Sequence, residues 1–234
     1  MYRTEYVAID LETTGLDPKK DKIIEIGAAH IIDGEIKEKF ETFINPGRTL
    51  PDRIVELTGI TEDDLKDAPY IENVLEDLLT FIGENILLGH GVLFDYSFLK
   101  RAAVNNGYQF EKDAIDTLAI SRLYLCNLPS RNLHKICEHY GIAHHEHRAF
   151  DDAVAASDIY LKLVEEYYKE DARCFMPQRM KYSVKKEGPI TPPQLERLMR
   201  IIDTHKLDID YDPKRLTKNE ASRIIDVYRS QGIC

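Results

Sequence analysis

The 234-residue sequence has no apolar run approaching the ~18 residues that a membrane-crossing helix needs. It opens without the basic and apolar regions of a secretion signal, since MYRTEYVAI reads directly as a strand. Cysteine is scarce: Cys126, Cys137, Cys174 and Cys234 are scattered, with no CxxC pair. That argues against a disulfide framework and against a metal site built on cysteine. Reduced thiols in a cytoplasmic protein are the expectation. Positive charge is also in short supply. With 31 basic and 41 acidic residues the net charge is −10, a poor basis for holding nucleic acid through bulk charge. No internal repeat or low-complexity tract is present.

What remains is an ordinary globular composition, 43% hydrophobic and 31% charged. The charge is unevenly spread. Residues 1–172 carry −15, residues 173–188 carry +4 and residues 189–234 carry +1. We therefore divide the chain into a large domain (1–172), a basic linker (173–188) and a small two-helix module (189–234).

Tyr6–Ile9 reads as a buried strand. Ile23–Ile32 and Ile36–Ile44 read as two more, joined by Asp33-Gly34, a strong hairpin signal. Short helices are expected at Pro51–Leu57 and at Thr61–Asp67, where Thr61 and Asp64 have capping-box spacing. Apolar residues at helical spacing mark Ile71–Ile82. Asn85–Gly89 is a fourth strand, Leu93–Asn106 a helix closed by Gly107, and residues 114–117 a fifth strand. Helices follow at Leu118–Leu125, Asn132–Tyr140 and Phe150–Tyr168. The fold class is α/β, a mixed five-stranded sheet flanked by helices plus a small C-terminal helical module. In that module, Thr191–Gln194 and Thr217–Glu220 are capping boxes opening two amphipathic helices.

The chemistry begins at DLETTG. Asp10 and Glu12 alternate onto one strand face, so two like charges stand side by side. HGVLFD places Asp95 at a strand-to-helix junction, and HRAFDDA opens the long helix with His147 and Asp152. The four acids fall at element ends, where open α/β sheets gather their sites. Hard oxygen ligands in this number suit Mg²⁺ or Mn²⁺ rather than Zn²⁺. Taken singly, each has an ordinary reading. Asp-x-Glu is solvated surface, Asp95 a helix N-cap, His147 part of a solvated His-rich loop with His144 and His145, and Asp151 and Asp152 partners of the helix dipole. Their joint order and spacing is what singles them out.

D-x-E-T-T-G, H-x-x-x-F-D and H-x-A-x-x-D, in this order, resemble the three motifs of the DnaQ-like, DEDDh-type 3′–5′ exonucleases. ELTGITEDDLKDAP, IDTLAISR and LPSRNLHKICEHYGIAHHEHRAFDDA resemble the intervening family segments, so the likeness covers residues 4 to about 168. It implies an RNase H-like fold and two divalent ions, with Asp10 bridging both. Glu12 and Asp152 would bind the ion carrying the attacking water, Asp95 would support the second ion, and His147 would be the general base. The motif counts five from His147, which selects Asp152 over Asp151.

For substrate, the resemblance implies Thr13 and Thr14 as donors to the terminal nucleotide and Leu16 or Ile60 as an apolar wall. Phe94 would lie near the terminal sugar and base, and His90 near the scissile end. The alternative for Leu16, Ile60 and Phe94 is core packing. Gly91 stands where the family commonly has Asn, and Asp116 reads as a helix cap. The implied partners are nucleic acid with a free 3′ end, DNA favoured over RNA, and a DNA polymerase subunit in trans. A non-catalytic scaffold on the same fold predicts the loss of at least one acid, yet all four acids and the histidine are present. The basic linker reads either as a phosphate-tracking segment or as solvated surface.

Overall fold

The computed structural model describes residues 2–143 and 147–233. His144, His145 and Cys234 therefore lie outside the described residues. Six strands form one sheet in the order β3-β2-β1-β4-β5-β6. They are β1 (Glu5–Thr13), β2 (Ile23–Ile32), β3 (Glu35–Phe43), β4 (Leu87–Gly89), β5 (Asp113–Asp116) and β6 (Gln178–Arg179). β4 and β5 run parallel to β1 and the other pairings are antiparallel. The helices are α1 (Asp52–Thr58), α2 (Glu62–Leu65), α3 (Ile71–Ile82), α4 (Leu93–Asn105), α5 (Thr117–Tyr124), α6 (Leu133–Tyr140), α7 (Ala149–Tyr167), α8 (Pro192–His205) and α9 (Lys218–Ser230). None among the described residues is long and apolar enough to cross a membrane.

The expected sheet of five strands is corrected to six. β6 comes from the segment read as a linker, and it pairs with β5 through Asp113–Arg179 and Ala114–Gln178. Its side chains are exposed, so the stretch has none of the apolar alternation that marks a half-buried strand. Its backbone is ordered by an open sheet edge that local sequence does not reveal. The β2–β3 hairpin turns at Asp33 and Gly34, both with positive φ as its tight turn requires.

Strand alternation divides the core in two. Tyr6 and Ala8 of β1, with Ala29 and Ile31 of β2, face a cluster that includes Ala153, Ala156, Ile159 and Tyr160 of α7. Val7, Ile9 and Leu11 face the opposite way, toward Leu78 and Ile82 of α3 and Tyr96 and Leu99 of α4. Asp10 and Glu12 continue the stripe of Tyr6 and Ala8, on the α7 side. β1 extends through Thr13, so the acid pair lies inside the hydrogen-bonded strand, and a register shift falls between Glu12 and Thr13. Cys126 is exposed, Cys137 buried and Cys174 half-buried.

α8 and α9 form their own apolar cluster around Leu198, Ile201, Leu216, Ala221 and Ile225. Both capping boxes are formed. Thr191 exchanges hydrogen bonds with Gln194, and Thr217 with Glu220. The module also contacts the large domain. Glu220 accepts from Lys22 at 2.9 Å and Arg48 at 3.5 Å, Arg215 pairs with Glu72 and covers the Tyr70 ring, and Asp212 N–H donates to the Gly47 carbonyl.

Candidate active site

Three elements deliver the acids. β1 carries Asp10 and Glu12. Asp95 sits in the first turn of α4, where Val92 is the N-cap, and its Oδ1 accepts from the Leu11 N–H at 3.1 Å. It is thus anchored to β1 between the other two acids and does not cap its helix. α7 brings Asp152, whose Oδ2 accepts from the His147 N–H at 3.1 Å. Ligand atoms of Glu12, His147 and Asp152 lie within 4.8 Å of one another.

Electrostatics place Asp10 at the hub. Its carboxyl is pushed well above the usual carboxylate range by burial, then by Asp95, Asp152, Glu12 and Glu25 in that order. Burial raises Asp95 to about 8, against backbone hydrogen bonds that lower it. Glu12 rises to about 7 through burial and the neighbouring Asp152 and Glu25. Like charges confined in low dielectric disfavour ionisation, and a cation among them reverses this. The donors are hard carboxylate oxygens from separate segments, so the residues fit a Mg²⁺- or Mn²⁺-type ion.

Gly27 makes the convergence possible. It stands opposite Asp10 in the β1–β2 ladder. A Cβ there would lie 2.0 Å from the Phe150 nitrogen and 2.1 Å from the Ala149 carbonyl carbon. Only glycine lets the first turn of α7 come this close to the sheet. Glu25, opposite Glu12, accepts from Arg148 at 2.8 Å and from the Ala149 N–H at 3.2 Å. Sequence reasoning missed both residues. The signal available was IIEIG, an acid and a glycine inside an otherwise apolar run. Gly15 of DLETTG leaves room for the Asp21 carboxylate, which a Cβ there would meet at 2.5 Å.

The residues expected to touch substrate differ in what the structure does with them. Leu16 is 81% exposed, which rules out core packing. Ile60 is buried with Ile24, Leu50, Ile54 and Leu65, and so belongs to the core. Phe94 is half-buried, its ring 5.0 Å from that of Phe98. Thr13 donates its hydroxyl to the Gly15 carbonyl, while the Thr14 N–H and hydroxyl are both engaged with Lys22. His90 has both ring nitrogens occupied, by the Thr117 hydroxyl at 2.9 Å and the Arg131 carbonyl at 2.8 Å. Burial lowers its pKa, and the ring joins the end of β4 to α5 and to the segment before α6. Asp116 caps α5 and also accepts from the Gly91 N–H. Gly91 has φ +85°, a conformation that favours glycine.

Residues 7–160 match the exonuclease family RNase_T. The chain belongs to this family. It is 38% identical over 165 residues to the DNA polymerase III subunit epsilon of Aquifex aeolicus, covering 70% of this chain and 82% of that one. It is 39% identical over 168 residues to the PolC-type DNA polymerase III of Clostridium perfringens, covering 71% of this chain. The match spans only 12% of that much longer polymerase. Its DnaQ-like fold is shared with exonuclease I (TM-score 0.64, 20% identity, 74% of this chain and 42% of that one). The nuclease domain of 3′hExo, described as a DEDDh family member bound to rAMP, superposes with TM-score 0.61 at 20% identity, covering 77% of this chain and 98% of that one. The family is one of exonucleases.

Proposed function

We propose that this exonuclease shortens single-stranded nucleic acid, DNA in preference to RNA, from its 3′ end and releases nucleoside 5′-monophosphates. The observation that carries the reading is the convergence of Glu12, His147 and Asp152 within 4.8 Å beside Asp10. Asp10, Glu12, Asp95 and Asp152 would hold two divalent ions, which when bound stabilise charge on the attacking and leaving oxygens of an in-line displacement.

The chain's own residues do the rest. The His147 imidazole takes the proton of the attacking water, as a general base within reach of it. The Asp152 carboxylate holds the His147 backbone in place. Leu16 offers an apolar wall to the terminal base, and Phe94 packs beside it. Neither reads base identity, which suits an enzyme indifferent to sequence.

The preference for DNA is supported by relatives named as a PolC-type DNA polymerase III and a DNA polymerase III subunit epsilon. Action in trans beside a polymerase catalytic subunit is the reading that the epsilon-subunit relative supports. The basic segment 173–188 contributes less free positive charge than its composition implies, because Arg179 is paired with Glu111 and Asp113.

The test is a digestion time course with 3′-labelled and 5′-labelled strands, DNA and RNA side by side, with Mn²⁺ and with EDTA. Metal-dependent stepwise loss from the 3′ end, faster on DNA, is expected. No shortening of any strand with metal present would overturn the reading.

A further inference from the structure

We propose that Glu25 is a positioning residue for the exonuclease site. It clamps the first turn of α7 and so holds His147 and Asp152 against Asp10 and Glu12. The proposal rests on the function proposed above. Glu25 projects from β2 directly across from Glu12, and its side chain is 2% exposed. Its two oxygens are divided between two groups of α7. Oε1 accepts from Arg148 at 2.8 Å, and Oε2 accepts from the Ala149 N–H at 3.2 Å. The first N–H groups of a helix have no partner within it. Here one of them is satisfied by an acid 124 residues away in sequence.

The clamp acts on the segment that carries the chemistry. Arg148 is the N-cap residue of α7, and its carbonyl accepts from the Asp152 N–H at 2.9 Å. The Arg148 guanidinium also lies over the Phe43 ring, 5.2 Å from its centroid. β2 and β3 therefore hold Arg148 from two sides. His147, one residue earlier, has φ +62°, a conformation that persists in a non-glycine residue only when its surroundings enforce it. Gly27 brings α7 close, and Glu25 fixes where its first turn stops. With both oxygens engaged by α7, Glu25 acts through His147 and Asp152 and not as a further metal ligand.

The test uses the full chain carrying Glu25→Gln, Glu25→Ala or Arg148→Met, each checked for folding by circular dichroism. Three readouts are taken: kcat and KM on a 3′-labelled DNA strand, Mn²⁺ affinity and stoichiometry by electron paramagnetic resonance, and the His147 ring signals by NMR. Glu25→Ala is expected to lower kcat by about 100-fold with KM nearly unchanged, the scale of a small misplacement of a reacting group. Mn²⁺ affinity falls, stoichiometry stays the same, and the His147 signals shift. Glu25→Gln keeps an acceptor for Ala149 and recovers part of the loss. In a His147→Ala background, Glu25→Ala should cost far less than it does alone, because residues acting as a unit are non-additive.

Wild-type kcat in folded Glu25→Ala overturns the proposal, as does a fully multiplicative loss in the double variant. Loss of one Mn²⁺ from Glu25→Gln but none from Arg148→Met would make Glu25 a ligand and also overturn it. Should Glu25→Ala fail to fold, Arg148→Met decides alone, since that side chain is 44% exposed. Reduced kcat at constant KM supports the clamp, and wild-type kcat overturns it. If the wild-type chain has no nuclease activity, the proposed function fails, while the Mn²⁺ and NMR readouts still decide the clamp.

Discussion

Asp10 and Gly27 face each other across the β1–β2 ladder, and the missing side chain of one sets the surroundings of the other. The backbone of Ala149 and Phe150 occupies the space that a Cβ on Gly27 would fill, so α7 delivers Asp152 to the acid that feels all three of the others. Gly27→Ala is expected to push α7 off the sheet. The clash is with backbone and has no flexible side chain to yield, so the cost is about 3 kcal/mol or more. Thermal denaturation and the rate on a labelled strand should fall together. A variant with wild-type melting temperature and rate would show that the close approach is not needed.

The four acids stand in mutual repulsion, so removing one should separate stability from activity. Asp10→Ala and Asp152→Ala are expected to abolish turnover. Asp10→Ala should also raise the melting temperature in EDTA, because ionising this cluster costs on the order of a few kcal/mol. Wild-type-like turnover in either variant would sink the site assignment.

The same acids set a pH dependence. The folded pKa values of Asp10, Glu12 and Asp95 lie above the unfolded ones, with Glu12 at about 7 and Asp95 at about 8. Between about pH 4 and pH 8 the folded chain therefore holds more protons than the unfolded chain. The stability they contribute is fully present below the unfolded values and is lost as pH rises through the folded ones. Melting in EDTA should show wild type losing more stability between pH 5 and pH 8 than Asp10→Asn does. Mn²⁺ should raise the melting temperature most at the alkaline end. Parallel pH profiles for the two proteins would contradict this.

Leu16 is exposed but lies four residues from Glu12. Leu16→Ser should change stability by no more than about 0.5 kcal/mol. It should raise KM for an oligonucleotide several-fold while leaving kcat within about twofold. An unchanged KM would remove Leu16 from the substrate wall.

Glu220 ties the C-terminal module to the β1–β2 loop. Burial alone would raise its pKa, but Lys22 and Thr217 overcome burial and hold it below the usual value. Lys22→Met leaves that acid buried with its best partner gone, at an expected cost of about 1–3 kcal/mol. Urea denaturation measures the loss. Faster proteolytic cleavage between α8 and α9 would show that it falls on the module.

Local chemistry accounts for what the sequence made legible. Apolar spacing located Ile71–Ile82 to the residue, and Asp33-Gly34 marked its hairpin because only φ > 0 residues close that turn. The capping boxes at Thr191 and Thr217 are likewise three-residue events. Motif order and spacing singled out Asp10, Glu12, Asp95, His147 and Asp152. Substrate contacts were less legible, because a threonine or histidine beside a motif looks the same whether its polar atoms face solvent or, as with Thr14 and His90, are engaged within the chain.

By itself the sequence determined the type and order of the first five strands and of the main helices, and it singled out the five residues proposed for the site. These follow from periodicity, turn chemistry and spacing, all short-range properties of the chain. Only the tertiary structure decided that Gly27 lies under α7, that Glu25 grips Arg148 and Ala149, that Asp95 anchors to Leu11, and that the basic segment supplies a sixth strand. Each of these joins groups 64 to 124 residues apart. The free energy of such a contact depends on backbone approach and on burial of partners that share no local pattern, so it exists only once the sheet has formed.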